Sequence, residues 1–404
     1  MFKKSKAFIS IILAVVMALS FGACGKKNET KQEGKLPTGK TLRVWTRLTP
    51  AENEVLKGYL KEWETKTGNK VEFTLINMSN SELIKVANSD QRPDVIWGLS
   101  NGHTGVYARS GVIEEIPEGI FDKSKIISNT LIDAVSYDGK VYGVPLFAET
   151  YALFYNKDKV KEAPKTWEDL MKLGKENGFE YDLTNFYYSF YPVATAGGYI
   201  FKEEAGGKFD VNDIGLANEG AVKGLELIKG LVDNKLMTPS VTGDIAKNHF
   251  KEGKTALFIG GPWDVADMDK AKLNYGIAVL PSINGTPGKS MLGMQTGYVL
   301  KKSANKELAW DLVKDLSNES KIEALMKAGN RLPAYNSMQL PDAKLQGFVD
   351  QLQNSVVKPI VPEMTLVWDP MKATLQSVVS GSKTPADAAK FGADGIKQKI
   401  DITK

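Results

Sequence analysis

Cysteine and histidine are nearly missing from this 404-residue chain, which holds one cysteine, Cys24, and two histidines, His103 and His249. The single cysteine rules out a disulfide framework, and neither a thiolate nor an imidazole metal centre has a ligand set to draw on. Neither metal nor nucleophilic-cysteine chemistry is expected, and no cofactor is implied. Charge of one sign is also lacking. The formal charge is +4, and removing Lys3, Lys4 and Lys6 with the first segment takes it to +1, which offers no electrostatic case for a nucleic-acid partner. Internal repeats and a glycine-rich phosphate loop are absent. What remains is ordinary for a soluble globular protein, with 42% hydrophobic and 25% charged residues. The length exceeds one ordinary core and predicts two large domains, or two lobes sharing several crossings.

The most specific local signal is N-terminal. Lys3, Lys4 and Lys6 precede an uncharged run over residues 7–23, and Leu19-Ser20-Phe21-Gly22-Ala23-Cys24-Gly25 places small residues just before the cysteine. This resembles a bacterial lipobox, which implies removal of residues 1–23 and a diacylglycerol on Cys24 that holds the protein to the outer face of the cell membrane. Phe21 stands where that motif usually carries an aliphatic residue. An ordinary signal peptide with an incidental cysteine is the alternative, and the run is too short for a spanning helix. Residues 24–40 have almost nothing to bury and read as a flexible tether.

Folding is expected to begin near Thr41. Leu42-Arg43-Val44-Trp45 reads as a strand, Thr49 and Glu52 as a capping box around Pro50, and Val55, Leu56, Tyr59, Leu60 and Trp63 as a helix that Gly68 ends. Val71, Phe73 and Leu75 alternate as the next strand, giving the strand-helix-strand unit of a parallel sheet. A helix over Glu82–Ala87 and a strand over Asp94–Trp97 follow. The loop after that strand lies at the carboxyl edge of the sheet, where open α/β folds place ligands, so Trp97, Asn101 and His103 become candidates.

Gly139–Asp158 reads as a crossing, two strand-like segments broken near Pro145, with Glu149 between them. Phe147 and Tyr151 beside it are suited to stack on a sugar ring while the carboxylate accepts from hydroxyls. A solvated loop glutamate is the competing reading. Phe186–Tyr191 packs five aromatics into six residues, too many for one face to hide. A strand over Thr255–Ile259 runs into Gly260-Gly261-Pro262-Trp263. Met294–Gly297 is expected to open a second crossing, and Asn330–Pro333 a third, with Arg331 at hand. Asp369-Pro370 is suited to cap a helix through Lys372 to Val379.

Taken together, RPDVIWG, VYARSGVIEEI, FYNKD, PKTWEDL, ATAGGYIFK, FKEGKTALFIGGPW, NYGIAVLP, PEMTLVW and the closing ITK resemble the maltose/maltodextrin-binding proteins of bacterial ABC importers from about Leu42 onward. The resemblance implies an α/β, two-lobed periplasmic-binding-protein-like fold with three inter-lobe crossings, residues 41–147 with 297–328 forming one lobe and 148–296 with 329–404 the other. It also implies a monomer that closes on maltose or maltodextrin and presents it to membrane permease subunits. By the same resemblance Glu149 is the hinge-side acid, Tyr188 a stacking tyrosine, and Trp263 and Trp368 parts of one platform. Arg47 substitutes for an Asp-Lys pair, and Asn101 to His103 for an Asp-Arg pair. Trp97 is displaced by one position, while Phe186, Asp369 and Lys372 stand where an acid, a tyrosine and an arginine are usual. Another oligosaccharide is the nearest alternative ligand. A secreted glycoside hydrolase is the competing class, and it would need a second carboxylate beside Glu149, for which Asp369 is the only sequence candidate.

Overall fold

The computed structural model of the chain describes residues 36–78, 80–204 and 208–403. The leader, Cys24 and most of the expected tether lie outside the described residues. In chain order the strands that position the site are β1 (Thr41–Thr46), β2 (Lys70–Leu75), β3 (Val95–Ser100), β4 (Val144–Glu149), β5 (Ala152–Asn156), β6 (Phe179–Glu180), β7 (Leu257–Gly260), β8 (Tyr275–Ala278), β9 (Ser290–Val299), β10 (Leu332–Pro333) and β11 (Ser355–Val357). They form two sheets. The larger has the order β10-β4-β9-β3-β1-β2 with β11 added along the start of β9, and the smaller has the order β8-β5-β7-β6.

The opening unit follows from local chemistry. Helix α1 (Pro50–Thr67) starts on a complete capping box, Thr49 with Glu52, and stops at Gly68 in the left-handed conformation (φ 71°), where a side chain would be strained. The helix returns the chain so that β2 and β3 flank β1 in parallel. In the rest of this sheet β9 is antiparallel to β3 and β4, and β10 to β4, while β11 runs parallel to β9.

Three passages join the sheets. Thr150 and Tyr151 carry the chain from β4 to β5, and residues 279–289 carry it from β8 back to β9. From β10 it then reaches a helix at Gln346–Leu352, where Phe348 packs on Phe154 of β5 with ring centroids 5.6 Å apart, and returns as β11. One hydroxyl from each passage meets at a buried junction. Thr150 Oγ1 lies 2.6 Å from Ser290 Oγ and 3.2 Å from Ser355 Oγ, and the two serines lie 2.7 Å apart. Gln351 extends this network, donating to the Gly288 carbonyl and accepting from the Leu280 N–H.

The second passage ends earlier than the sequence indicates. Gly293 already pairs with Glu149 of β4, so Met294–Gly297 lies inside β9 and opens no crossing. The glycine at 297 has a packing cause, since a Cβ there would come within 2.3 Å of the Trp97 ring.

Candidate functional site

Glu149 ends β4 at the first passage and is neither a loop residue nor solvated. Its Oε1 accepts from Gln295 Nε2 at 3.0 Å and from an Arg331 terminal nitrogen at 3.1 Å. Arg331 is itself buried, and its other face donates to Glu52 Oε1 at 2.7 Å and Oε2 at 3.2 Å. Glu52 is fully buried, and its Oε2 also accepts the Thr49 N–H at 2.7 Å to close the capping box. Burial works against the guanidinium's charge, and the Glu52 and Glu149 carboxylates more than offset it, so its pKa is raised. One arginine therefore ties α1, β4 and the residue before β10 together. Arg331, expected as a ligand arm, here bonds two carboxylates, each of its three nitrogens donating once.

Beyond β3 the expected ligand loop is largely occupied with itself. Trp97 has no exposed surface and lies beneath Gly297, so it is a core residue rather than a platform. Asn101 is likewise buried, donating to the Ala134 carbonyl at 2.7 Å and accepting from the Met294 N–H at 3.1 Å, which pins this loop to β9. Both ends of its amide are used. His103 is half-buried and stacks on Tyr107 with centroids 6.1 Å apart. Burial, then the charges of Lys358 and Arg47, push its pKa down to about 4, so it is neutral at neutral pH. Arg47 is half-buried and donates to the Met78 carbonyl.

Lys358 is the cation that sequence reasoning missed. It follows β11, its backbone N–H meets the Leu292 carbonyl at 3.3 Å, and only 8% of the residue is exposed. Burial lowers its pKa, and the field of Glu149 opposes that. Its sequence surroundings, Val357 and Pro359, carry no signal of a site.

The opposite wall is aromatic. Helix α2 (Phe186–Thr195) is capped by Asn185, whose side chain accepts the Tyr187 N–H at 3.1 Å. Helical spacing sends Phe186 and Phe190 into the core of the second sheet, and leaves Tyr187 and Tyr188 half-buried. Phe186, expected in the site, is 2% exposed and packs edge-on against Phe190 and Trp368. Tyr187 and Tyr188 both meet Tyr151, at 4.9 and 5.4 Å, and Tyr187 lies 6.3 Å from Trp263. Tyr151 and Phe147, the stacking candidates beside Glu149, have no exposed surface and are packing residues.

Trp263 is 39% exposed, high for a tryptophan, on a short turn over Pro262–Asp264. Gly261 lets the indole fold back, since a Cβ there would lie 2.2 Å from the ring, and the buried Asp264 holds the turn by accepting the Gly261 N–H at 3.0 Å. Burial pushes Asp264 up to about 6 despite that bond. Tyr188, Trp263, Asp264, Lys247, Asp182 and Asn185 line a cavity of about 370 Å³. Burial raises the Tyr187 hydroxyl pKa well above its ordinary value and Glu149 adds to the effect, so the carboxylate of one wall lies within the field of the other.

Trp368 is half-buried at the start of helix α3 (Trp368–Val379). Asp369 does not cap this helix. It sits in the first turn, its side chain 92% exposed and 3.7 Å from Lys399, and Lys372 is exposed on the same helix. Neither is drawn into the cluster around Glu149.

A larger groove of about 1130 Å³ runs along Glu115–Lys125, but its lining is mostly charged and small residues with Phe121 as its single aromatic ring, so its size does not make it a ring-binding site. Among the described residues no group of three or more His, Cys, Asp or Glu is placed to hold a metal, and no helix is long and apolar enough to cross a membrane.

Comparison with known proteins agrees with this architecture. The chain is 30% identical over 418 residues to a galactooligosaccharide-binding protein of Bacillus subtilis, covering 98% of each. It is also 30% identical over 429 residues to a maltooligosaccharide ABC transporter solute-binding lipoprotein of Streptococcus pneumoniae, covering 99% of this chain and 98% of that one. A solved maltose-maltodextrin binding protein of Alicyclobacillus acidocaldarius superposes with a TM-score of 0.82 at 31% identity, over 88% of this chain and 100% of the other. The fold is thus the two-lobed α/β fold of that protein, and the relatives are binding proteins, not enzymes, which removes the glycoside-hydrolase reading. Residues 58–347 match the model of the bacterial extracellular solute-binding proteins, and the chain belongs to that family.

Proposed function

We propose that this protein is the lipid-anchored solute-binding component of a carbohydrate ABC importer, and that it holds a neutral oligosaccharide of the maltodextrin type between its two walls. The observation that carries this reading is the cluster of Tyr187, Tyr188 and Trp263, which packs through Tyr151 on the passage that begins at Glu149. Aromatic faces remove the apolar faces of a sugar ring from water, and a fixed carboxylate orients its hydroxyls. Trp368 extends the aromatic wall. The three passages serve as the hinge, closure bringing the walls onto the ring, and the closed monomer is what permease subunits recognise. The lobes divide where these passages cross. Lipid on Cys24 holds the protein at the outer face of the cell membrane. Glu149→Gln should weaken binding by about 1.5–3 kcal/mol, the scale of a hydrogen bond to a charged group.

A second reading, a different oligosaccharide, is favoured by the name of the Bacillus subtilis relative. Titration of maltotriose and of a β-linked galactotriose, followed by tryptophan fluorescence and calorimetry, separates the two. Saturable binding of maltotriose alone is expected; binding of the galactoside alone transfers the assignment, and silence toward both ends it.

A further inference from the structure

We infer that Lys358 is a specificity-determining residue of the sugar site, its ammonium donating to oxygen atoms of a neutral sugar while Glu149 accepts from the hydroxyls beside them. This rests on the reading of the protein as an oligosaccharide receptor. Three observations carry it. The Lys358 stem is packed into the protein, only 8% of the residue being exposed, while its ammonium reaches the surface of the site, and among the described residues no carboxylate stands within 4 Å of it and no side-chain hydrogen bond takes it up. An ammonium held on a packed stem with its head at the site and no protein acceptor has all three donors left for water or for a ligand that displaces it. The second is position. Lys358 follows β11 on the third passage, Glu149 ends the first, and their charges interact. The third is room. The ammonium lies against Gly102, where a Cβ would come 2.7 Å from Nζ, so the loop after β3 is indented at this point.

The charge balance selects the class of ligand. Glu52 and Glu149 share Arg331, and Lys358 supplies the second cation, which leaves these four groups neutral. His103 beside them is uncharged at neutral pH. An anionic sugar would meet the Glu149 carboxylate as well as the ammonium. A neutral polyol has lone pairs for one and hydroxyl protons for the other. The pair therefore reads adjacent hydroxyls, and a sugar lacking one of them leaves a buried charge unpaired.

The test is calorimetric titration of maltotriose into the mature protein and its Lys358→Met variant, with thermal unfolding of both in the absence of sugar. The expected result is an affinity loss of about 10- to 100-fold with a melting temperature that is kept or raised, because methionine fills the space without the unpaired charge. A lower melting temperature with unchanged affinity would make Lys358 a structural residue and overturn the inference. Gly102→Ala provides the second variant, since its methyl group displaces the ammonium from outside; it should also weaken binding, and full affinity in it would count against the assignment. Tighter binding of a uronic-acid trisaccharide than of maltotriose overturns the neutral class. If the unsubstituted protein binds no neutral oligosaccharide, the receptor reading fails together with this one, whereas binding that is indifferent to Lys358 removes this one alone.

Discussion

Arg331 and Lys358 are both buried cations near Glu149, each 8% exposed, and their surroundings differ in what they leave to do. Arg331 reaches three carboxylate oxygens on two residues that lie 279 and 182 positions away, and its planar fork fits both. Lys358 has the field of Glu149 and the backbone of Gly102, but no carboxylate in contact among the described residues. A charge whose three nitrogens each meet a carboxylate holds elements together. A charge on a packed stem whose head has no protein acceptor has capacity left for a ligand. Burial alone does not distinguish the two roles; counting acceptors does.

The largest effect expected is on the paired cation. Arg331→Met strands Glu52 and Glu149 in the interior and should cost about 3–5 kcal/mol in denaturant unfolding, where Lys358→Met costs nothing; equal losses would erase the contrast. Next is Asp264, the acid behind Trp263. Its pKa is raised by burial from 3.8 to about 6, so the folded state holds its proton more tightly than the unfolded chain. Its contribution is complete below about pH 4 and is lost as the pH rises through about 6. Asp264→Asn keeps an acceptor for Gly261 and should remove that fall, on the order of 3 kcal/mol between pH 4 and 7, when stabilities are measured across the range. Trp263→Ala follows, weakening sugar binding by about 1–3 kcal/mol through lost stacking area, with little change in stability because the ring is exposed. Trp368→Ala should weaken binding by about 1–3 kcal/mol as well, and it should also lower the melting temperature, since its ring packs on Phe186. Unchanged affinity in both would dismantle the aromatic wall.

Local chemistry was legible in the sequence and long-range pairing was not. Thr49 and Glu52 announce a helix start, and Thr166 with Asp169 another, because a capping box is complete within four residues. That the same Glu52 anchors Arg331 depends on a fold that brings residues 52 and 331 together. Trp97 and Trp263 look alike in the chain, each at a strand end with a glycine within two residues. What separates them is nonlocal: Gly297 of the neighbouring strand closes over Trp97, which has no exposed surface, whereas Trp263 is 39% exposed. Phe186 was misplaced by one helical step, its ring turning inward while Tyr187 and Tyr188 stay half-exposed. Lys358 gave no sign at all, since an unpaired buried lysine is a statement about surroundings rather than about neighbours in sequence.

A crystal structure of the mature protein with maltotriose tests the central claim most directly. Sugar rings against Tyr188, Trp263 and Trp368, with hydroxyl oxygens within hydrogen-bonding distance of both Glu149 and Lys358, are the predicted result. A sugar seated in the groove along Glu115–Lys125, or a ligand that leaves Glu149 joined only to Gln295 and Arg331, would contradict it.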